Sequence, residues 1–342
     1  MFLLLLVSQT SCGSYYLVIC NHRGSLCSCV DFIHSPCVWI LHFSFCRLTG
    51  TMSEPEKKHL PLFQYKGFNL ITGIHNAEEL DKLYDTEIYD SDIFIVTYPK
   101  SGTIWMQQIM SLIETKGVLN ATFNMNTADR IPWVEADKTI QKFASLSPPR
   151  IHVCHLPWNL TPKELRQKKG KIIYVSRNPK DVLVSFYHFH KFSNIFETPK
   201  DFNTFLEKFL NGNVFCSSWF NHIKGWYTHK DDFNILFLSY EEMIQDLRSS
   251  VKKMCTFLDR KLSDEEIDNV VEHSQFHTMK NNSFANYRQV CPEIFDYDKG
   301  SFMRKGIVGD WKKHLTVEQN EKFDEVFQEK MQDVPIKFIW RN

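Results

Sequence analysis

The sequence predicts a single α/β domain: a central parallel sheet flanked by helices, with a P-loop-like anion-binding turn at its heart. Three observations lead there. Short apolar runs rich in β-branched residues recur at 92–98, 151–156, 171–177 and 234–240 and alternate with stretches of helical periodicity. The first runs straight into a small polar turn and a helix, DIFIVTYPKSGTIWMQQIMSLIETKG over Asp92–Gly117. A length of 342 residues beside one such motif fits one large core better than two small ones.

The turn is the most informative stretch. The run 92–98 is followed by Pro99, Lys100, Ser101, Gly102 and Thr103. Trp105, Ile109, Leu112 and Ile113 then repeat at helical spacing up to Gly117, a C′ residue. Small residues and a lysine at a helix start aim several backbone N–H groups and the positive end of the helix dipole at one point. An anion belongs there, a phosphate or a phosphosulfate. A nucleotide P-loop of the form G-x-x-x-x-G-K-[ST] does not fit, because the lysine precedes the glycine and no glycine lies upstream in the loop.

Composition bounds the rest. Hydrophobic residues make up 43% of the chain, the level of a globular protein. Forty Lys and Arg balance forty Asp and Glu, so neither nucleic acid nor an anionic membrane is an implied partner. Of ten cysteines, six (Cys12, Cys20, Cys27, Cys29, Cys37, Cys46) fall in the first 51 residues. Cys154, Cys216, Cys255 and Cys291 are scattered without a C-x-x-C pair. The body therefore reads as cytoplasmic, with free thiols and no zinc or other metal site.

Residues 1–51 stand apart. The apolar run Phe2–Val7 is too short to span a bilayer, and no Lys or Arg precedes it. No amphipathic period follows, and Met52 opens SEPEKKHLPLFQYKG like an ordinary soluble N-terminus. The expectation is a non-domain extension over 1–51 and one domain over 52–342, with a secretory signal as the alternative.

In chain order, Leu60–Ile74 carries Phe63, Tyr65, Phe68 and Ile71 and is expected across the mouth of the site. A short helix over Ala77–Tyr84 leads into the first strand. Pro148-Pro149-Arg150 introduces the second, Ile151–Leu156, in which Val153 and His155 share one face and His152 and Cys154 the other. Lys171–Arg177 is the third; Asn178 caps the next helix and Pro179 suits its first turn, with Val182, Phe186 and Phe189 as its buried stripe. Asp201–Leu210 and Val214–His229 are amphipathic packing helices. Asn234–Tyr240 is the fourth strand, Glu241–Leu258 is helical, and Ser263 with Glu266 forms a capping box. In FMRKGIVGDWK, Phe302–Lys312, Arg304 and Lys305 put two cations beside Gly306, which permits close backbone approach. Thr316, with Gln319 three residues on, caps the last helix. Taken singly these residues are ordinary: Trp133 a core tryptophan, Tyr240 an edge tyrosine, Arg177 a surface charge, Ser185 a helix serine, His155 one of fourteen histidines.

The order of the segments says more. T-Y-P-K-S-G-T-x-W over Thr97–Trp105 resembles the 5′-phosphosulfate loop of the cytosolic sulfotransferases. R-I-H-V-C-H-L-P resembles the family strand ending in H-L-P, whose histidine is the catalytic base; that residue is His155. Y-V-S-R-N-P-K-D-V-L-V-S-F-Y-H-F resembles the 3′-phosphate segment, with Arg177 and Ser185 as its ligands, and a guanidinium fork suits a terminal phosphate. Arg304–Lys312 resembles the second signature, R-K-G-x-x-G-D-W-K, which closes over the 3′-phosphate. The resemblance also places Tyr240, Ser274 and Phe276 against adenosine, and Ile74 and Trp133 in the acceptor pocket, which Phe189 would also line. Lys312-x-x-x-Thr316-Val317-x-x-x-Glu321 matches the family's dimer motif, implying a homodimer. The likeness runs from Leu60 to Ile336 and is strongest to the amine-sulfating branch.

What the resemblance implies is the sulfotransferase fold and a metal-independent transfer of a sulfuryl group from 3′-phosphoadenosine-5′-phosphosulfate to a small hydrophobic amine or hydroxyl acceptor. The phosphosulfate would lie on Ser101–Thr103 and the adenine near Trp105; His155 would take the acceptor's proton and Lys100 would stabilise the leaving phosphate. A phenol or steroid O-sulfotransferase and a catalytically weak nucleotide-binding relative are the alternatives. A kinase-like phosphotransferase needs a Walker lysine, which is absent, and a metal-holding aspartate, whereas Asp92 opens its strand on the wrong side of the turn. Two positions depart from the pattern. Ile104 replaces a common threonine, and Val153 replaces a lysine on the His155 face. The lost cation favours an amine acceptor, for which Glu135 and Asp137 could hold the charge; the linker Glu135–Arg150 is also shorter than in phenol-type members.

Overall fold

The computed structural model describes residues 59–340 apart from 120 and 289–293, together with three short strands before residue 33. The chain divides into two compact units, Met1–Lys57 and Lys58–Asn342. In the first, β1 (Leu4–Gln9), β2 (Tyr15–Cys20) and β3 (Cys27–Phe32) form an antiparallel sheet in that order, where the sequence predicts no element. The remainder of 1–51 lies outside the described residues.

The second unit opens with a hairpin, β4 (Leu62–Tyr65) and β5 (Phe68–Ile71), then α1 (Ala77–Asp85), capped by the Asn76 side chain. β6 (Ile93–Thr97) and α2 (Thr103–Glu114) follow, then α3 (Thr127–Arg130), α4 (Asp137–Phe143), β7 (Ile151–Cys154) and β8 (Lys171–Ser176). Next come α5 (Pro179–Phe192), α6 (Phe202–Leu210), α7 (Trp219–Thr228) and β9 (Ile235–Ser239). α8 (Tyr240–Gln245), α9 (Leu247–Phe257), α10 (Asp264–His273), α11 (Phe276–Asn281) and α12 (Val317–Met331) complete it.

The sheet order is β7-β6-β8-β9 and every pairing is parallel. β6 is buried at every position because both faces of the sheet are covered. Successive residues serve opposite cores. Phe94, Val96 and Tyr98 join one cluster with Tyr174 and Phe186, while Ile93 and Ile95 join another with Met106, Ile109 and Val153.

Two predicted helices are shorter or broken. The segment predicted as helical from Val214 starts only at Trp219, because Cys216 and Ser217 have φ of +63° and +53° and the Ser218 side chain accepts from Asn221 N–H. The helix expected over Glu241–Leu258 divides at Asp246, whose carboxylate accepts from Ser249 N–H and starts α9. The capping boxes of Ser263 with Glu266 and Thr316 with Gln319 are both formed, and Asn178 caps α5.

Five histidines are buried among the described residues: His75, His152, His155, His190 and His222. Burial holds His75, His152, His155 and His190 down at about 4 and His222 at about 3. Each is neutral in the fold, whereas the unfolded chain takes up protons below about 6.5. These depressed groups therefore stabilise the fold above pH 6.5, and that contribution is lost as pH falls toward 4. Glu135, raised to about 7 by burial, and Glu241, also raised by burial, act the other way, but they are two groups against five. Urea midpoints measured from pH 7 down to pH 5 are expected to fall steeply; a flat profile would contradict burial of neutral imidazoles.

Candidate active site

The expected site residues share a topological position. Lys100 to Thr103 follow β6, His155 follows β7, Arg177 follows β8 and Tyr240 follows β9, so all four loops meet at the carboxyl ends of parallel strands. A cavity of about 180 Å³ lies there, bordered by Lys100, Gly102, Thr103, Trp105, Trp133 and His155 from the first half of the chain. Arg177, Ser185, Phe189, Tyr240, Phe276 and Arg304–Gly306 close it from the second half. A larger open depression, about 530 Å³, lies at the opposite ends of the strands around Asp81, Asp85, Glu87 and Arg150. It gathers none of these residues. Asp92 sits at that end, buried in an ion pair with Arg150, far from any phosphate turn.

The turn after β6 has the conformation an anion site needs. Gly102 precedes α2 at φ +104°, and a Cβ there would lie 3.0 Å from the Tyr240 ring. The first intrahelical bond is Met106 N–H to Gly102 O, which leaves the N–H groups of Thr103, Ile104 and Trp105 without intrahelical acceptors. Lys100 itself lies at φ +71°, and its ammonium stands 4.1 Å from the Phe189 ring centroid and 5.1 Å from that of Phe302. Burial, then the charges of Arg177 and Arg304, lower it to about 7. Trp105 is held edge-on to Tyr240, its Nε1–H donating to Ser274 O at 2.8 Å.

The second cationic group is organised by α5. Asp181, in its first turn, accepts from Gly309 N–H at 2.7 Å and Trp311 N–H at 3.0 Å, which pins the basic loop over the helix N-terminus. Arg177 donates to Lys100 O at 3.0 Å and Ile307 O at 3.4 Å and stacks on Tyr240 at 4.2 Å, joining the turn after β6 to the basic loop. Arg304 and Lys305 pair with Asp310 at 2.7 and 2.6 Å. Burial alone would push the Asp310 carboxyl up, yet Lys305 and Arg304 hold it at about 2. Gly306 has φ +66°, and a Cβ would meet the Phe276 ring at 2.3 Å, so no larger residue fits.

His155 lies just past β7 with its Nδ1 2.7 Å from Thr97 O. A carbonyl only accepts, so Nδ1 carries the hydrogen and Nε2 keeps its lone pair. Burial lowers this imidazole to about 4, which leaves it neutral and able to receive a proton at physiological pH.

Several expectations are corrected. Ile74 and the Leu60–Phe68 hairpin do not border the cavity; they pack on the larger core cluster. Ser274 does not border it either, because its hydroxyl donates to Val270 O at 2.6 Å at the end of α10. The Ser101 hydroxyl is buried without a partner in the turn. Val153 does share the His155 face but is 0% exposed, sealed under Pro132 and Val134 by backbone bonds of 2.9 and 2.8 Å. It packs in the core below the site, so a lysine there would first cost the burial of an ammonium stem. Glu135 is neither a solvated carboxylate nor a cation holder in the cavity; it is buried and accepts His155 N–H at 2.8 Å. Asp137 opens α4 and accepts from Gln141. Sequence reasoning missed Phe215, Tyr287, Phe302, Met279, Ile244 and Ile307, which also border the cavity. Only the aromatic density of the Val214–His229 stretch hinted at Phe215.

Among the described residues, no group of three or more His, Cys, Asp or Glu side chains could hold a metal, and no helix is long and apolar enough to cross a membrane. Cys154, Cys216 and Cys255 are free and buried, and Cys291 lies outside the described residues.

Comparison with known proteins agrees with this geometry. A sulfotransferase-domain profile matches residues 90–335. The amine sulfotransferase of Oryctolagus cuniculus is 48% identical over 82% of this chain and 93% of its own length. A 3-beta-hydroxysteroid sulfotransferase of Cavia porcellus is 44% identical over 74% of this chain and 88% of its own. The crystal structure of mouse sulfotransferase SULT7A1 complexed with PAP superposes with a TM-score of 0.67 at 32% identity, covering 80% of this chain and 95% of that one. With an all-parallel sheet, a glycine-bearing turn at the head of α2 and a family match over most of its length, this chain belongs to the sulfotransferase family.

Proposed function

We propose that the protein transfers a sulfuryl group from 3′-phosphoadenosine-5′-phosphosulfate to a small hydrophobic amine or hydroxyl acceptor. The observation that carries this is the convergence of a neutral histidine with a free Nε2 lone pair and two cationic loops on one cavity. The residues fit such a donor. Lys100, Arg177 and Arg304 lie close enough to repel one another, and the Nε of Arg177 is buried without a partner, as expected where a polyanion is to be received. The Trp105–Tyr240 pair and Phe276 offer aromatic surface to an adenine, and Phe189, Phe215 and Trp133 wall the side next to His155. The donor supplies an activated sulfuryl group. His155 receives the acceptor's proton on Nε2, Lys100 offsets the charge that develops on the leaving phosphate, and the N–H groups at the head of α2 hold that phosphate.

Amines are the proposed better acceptors. Supporting this is the likeness to an enzyme named for amines. A neutral His155 adds no charge against an amine that arrives partly protonated. Turnover of matched naphthylamine and naphthol with labelled donor checks both levels: kcat/KM is expected to favour the amine. Naphthol ahead would sink the amine preference and leave the transferase, and no transfer to any phenol, steroid or amine would favour a silent nucleotide binder.

The catalytic unit is proposed to be 52–342, cytoplasmic and a homodimer through Lys312–Glu321. The exposed Val317, 76% accessible at the head of α12, supports that interface. Protein starting at Met52 should match full-length activity and run as a dimer in light scattering. Loss of folding on truncation, or a monomer, would overturn the respective part.

A further inference from the structure

His155 sits one residue beyond β7, where ladder pairing has ended, and its own N–H and C=O are taken by two buried side chains, one from the turn before α4 and one from α7. Glu135 Oε1 accepts the N–H at 2.8 Å. His222 Nε2, from α7, lies 3.2 Å from His155 O, and the Tyr174 hydroxyl lies 3.0 Å from His222 Nδ1. Because His155 O can only accept, His222 carries its hydrogen on Nε2, and Tyr174 donates to Nδ1. Glu135, Tyr174 and His222 are each no more than 1% exposed. The peptide of His155 is thus gripped from both ends while Thr97 O orients its ring.

Neither Glu135 nor His222 borders the cavity, so neither meets donor or acceptor directly. Glu135 is instead two residues from Trp133, whose ring stands edge-on to His155 at 4.9 Å. One anchor therefore sets both the base and a wall of the acceptor side. The second oxygen of Glu135 is buried without a partner, and burial raises its carboxyl to about 7.

We infer that Glu135 and His222 are positioning residues that fix the peptide of His155, and through it the direction of Nε2. This rests on His155 being the base, and the test separates the two claims. Glu135→Val and His222→Leu remove the grips, while Glu135→Gln and His222→Gln keep an acceptor and a donor. The first pair is expected to lower kcat ~10–10²-fold, the size of effect that follows misplacing a reacting group by about 1 Å. The Kd for adenosine 3′,5′-bisphosphate should stay within about twofold. The His155 ring, followed by NMR through a pH titration, should titrate at higher pH once loosened. Both Gln variants should recover most of kcat, and Tyr174→Phe, which frees the His222 tautomer, should act in the same direction more weakly. An unchanged His155 titration and kcat in the Val and Leu variants would overturn the inference. So would a joint fall of kcat and bisphosphate binding in all five variants, which marks a general packing role. A responsive His155 ring in a protein that transfers no sulfuryl group would uphold the grip and reject the base.

Discussion

Lys100→Ala is expected to lower kcat ~10²–10³-fold while leaving the affinity for adenosine 3′,5′-bisphosphate largely intact, the usual size for losing one donor to a transition state. The separation follows from the geometry. Lys100 leaves the strand end at φ +71° and rests its ammonium between Phe189 and Phe302, whereas the proposed phosphate ligands are the α2 N–H groups, Arg177, Arg304 and Lys305. Burial, with the neighbouring cations, holds Lys100 at about 7 in the free protein, so a pH dependence accompanies the mutation. As pH rises through 7 the free protein loses this charge, and wild-type kcat/KM for the donor should fall, since that ratio reports groups of the free enzyme. The alanine variant should lack the limb. Equal loss of binding and turnover would reduce Lys100 to a phosphate anchor.

His155→Gln should lower kcat ~10²–10⁴-fold, the range for losing a positioned general base. Glutamine approximates the buried ring in length and retains an acceptor, but it cannot take up a proton at neutral pH. Because His155 is held at about 4, wild-type turnover should show no histidine limb near pH 6.5, and activity should fall only in more acid solution. Wild-type-like turnover in the variant would remove His155 from the chemistry. An acid limb at 6.5 would mean that the imidazole is more solvated during turnover than the structure has it.

Local chemistry made much of this protein legible from its sequence. The run Ile93–Thr97 followed by Lys100-Ser101-Gly102-Thr103 specifies strand, turn and helix through nearest-neighbour effects: β-branching, a glycine in the left-handed region, and a helix start. Asn178, Ser263 and Thr316 cap their helices by hydrogen bonds within three residues, so their signals need no tertiary information. Motif order likewise carried Arg177, Ser185 and Arg304–Gly306 to the cavity. What depended on residues far apart in the chain was decided only by packing. Ile74 holds a place in the family pattern yet packs on the core, a placement fixed by tertiary contacts, whereas Ser274 turns its hydroxyl onto the Val270 carbonyl four residues back. Val153 and His155 obey the strand alternation, but burial beneath Pro132 and Val134 is a property of the assembled sheet. Glu135 shows the difference best. In sequence it is one carboxylate among forty acidic residues; in the fold, desolvation and the His155 N–H make it a buried support of the site.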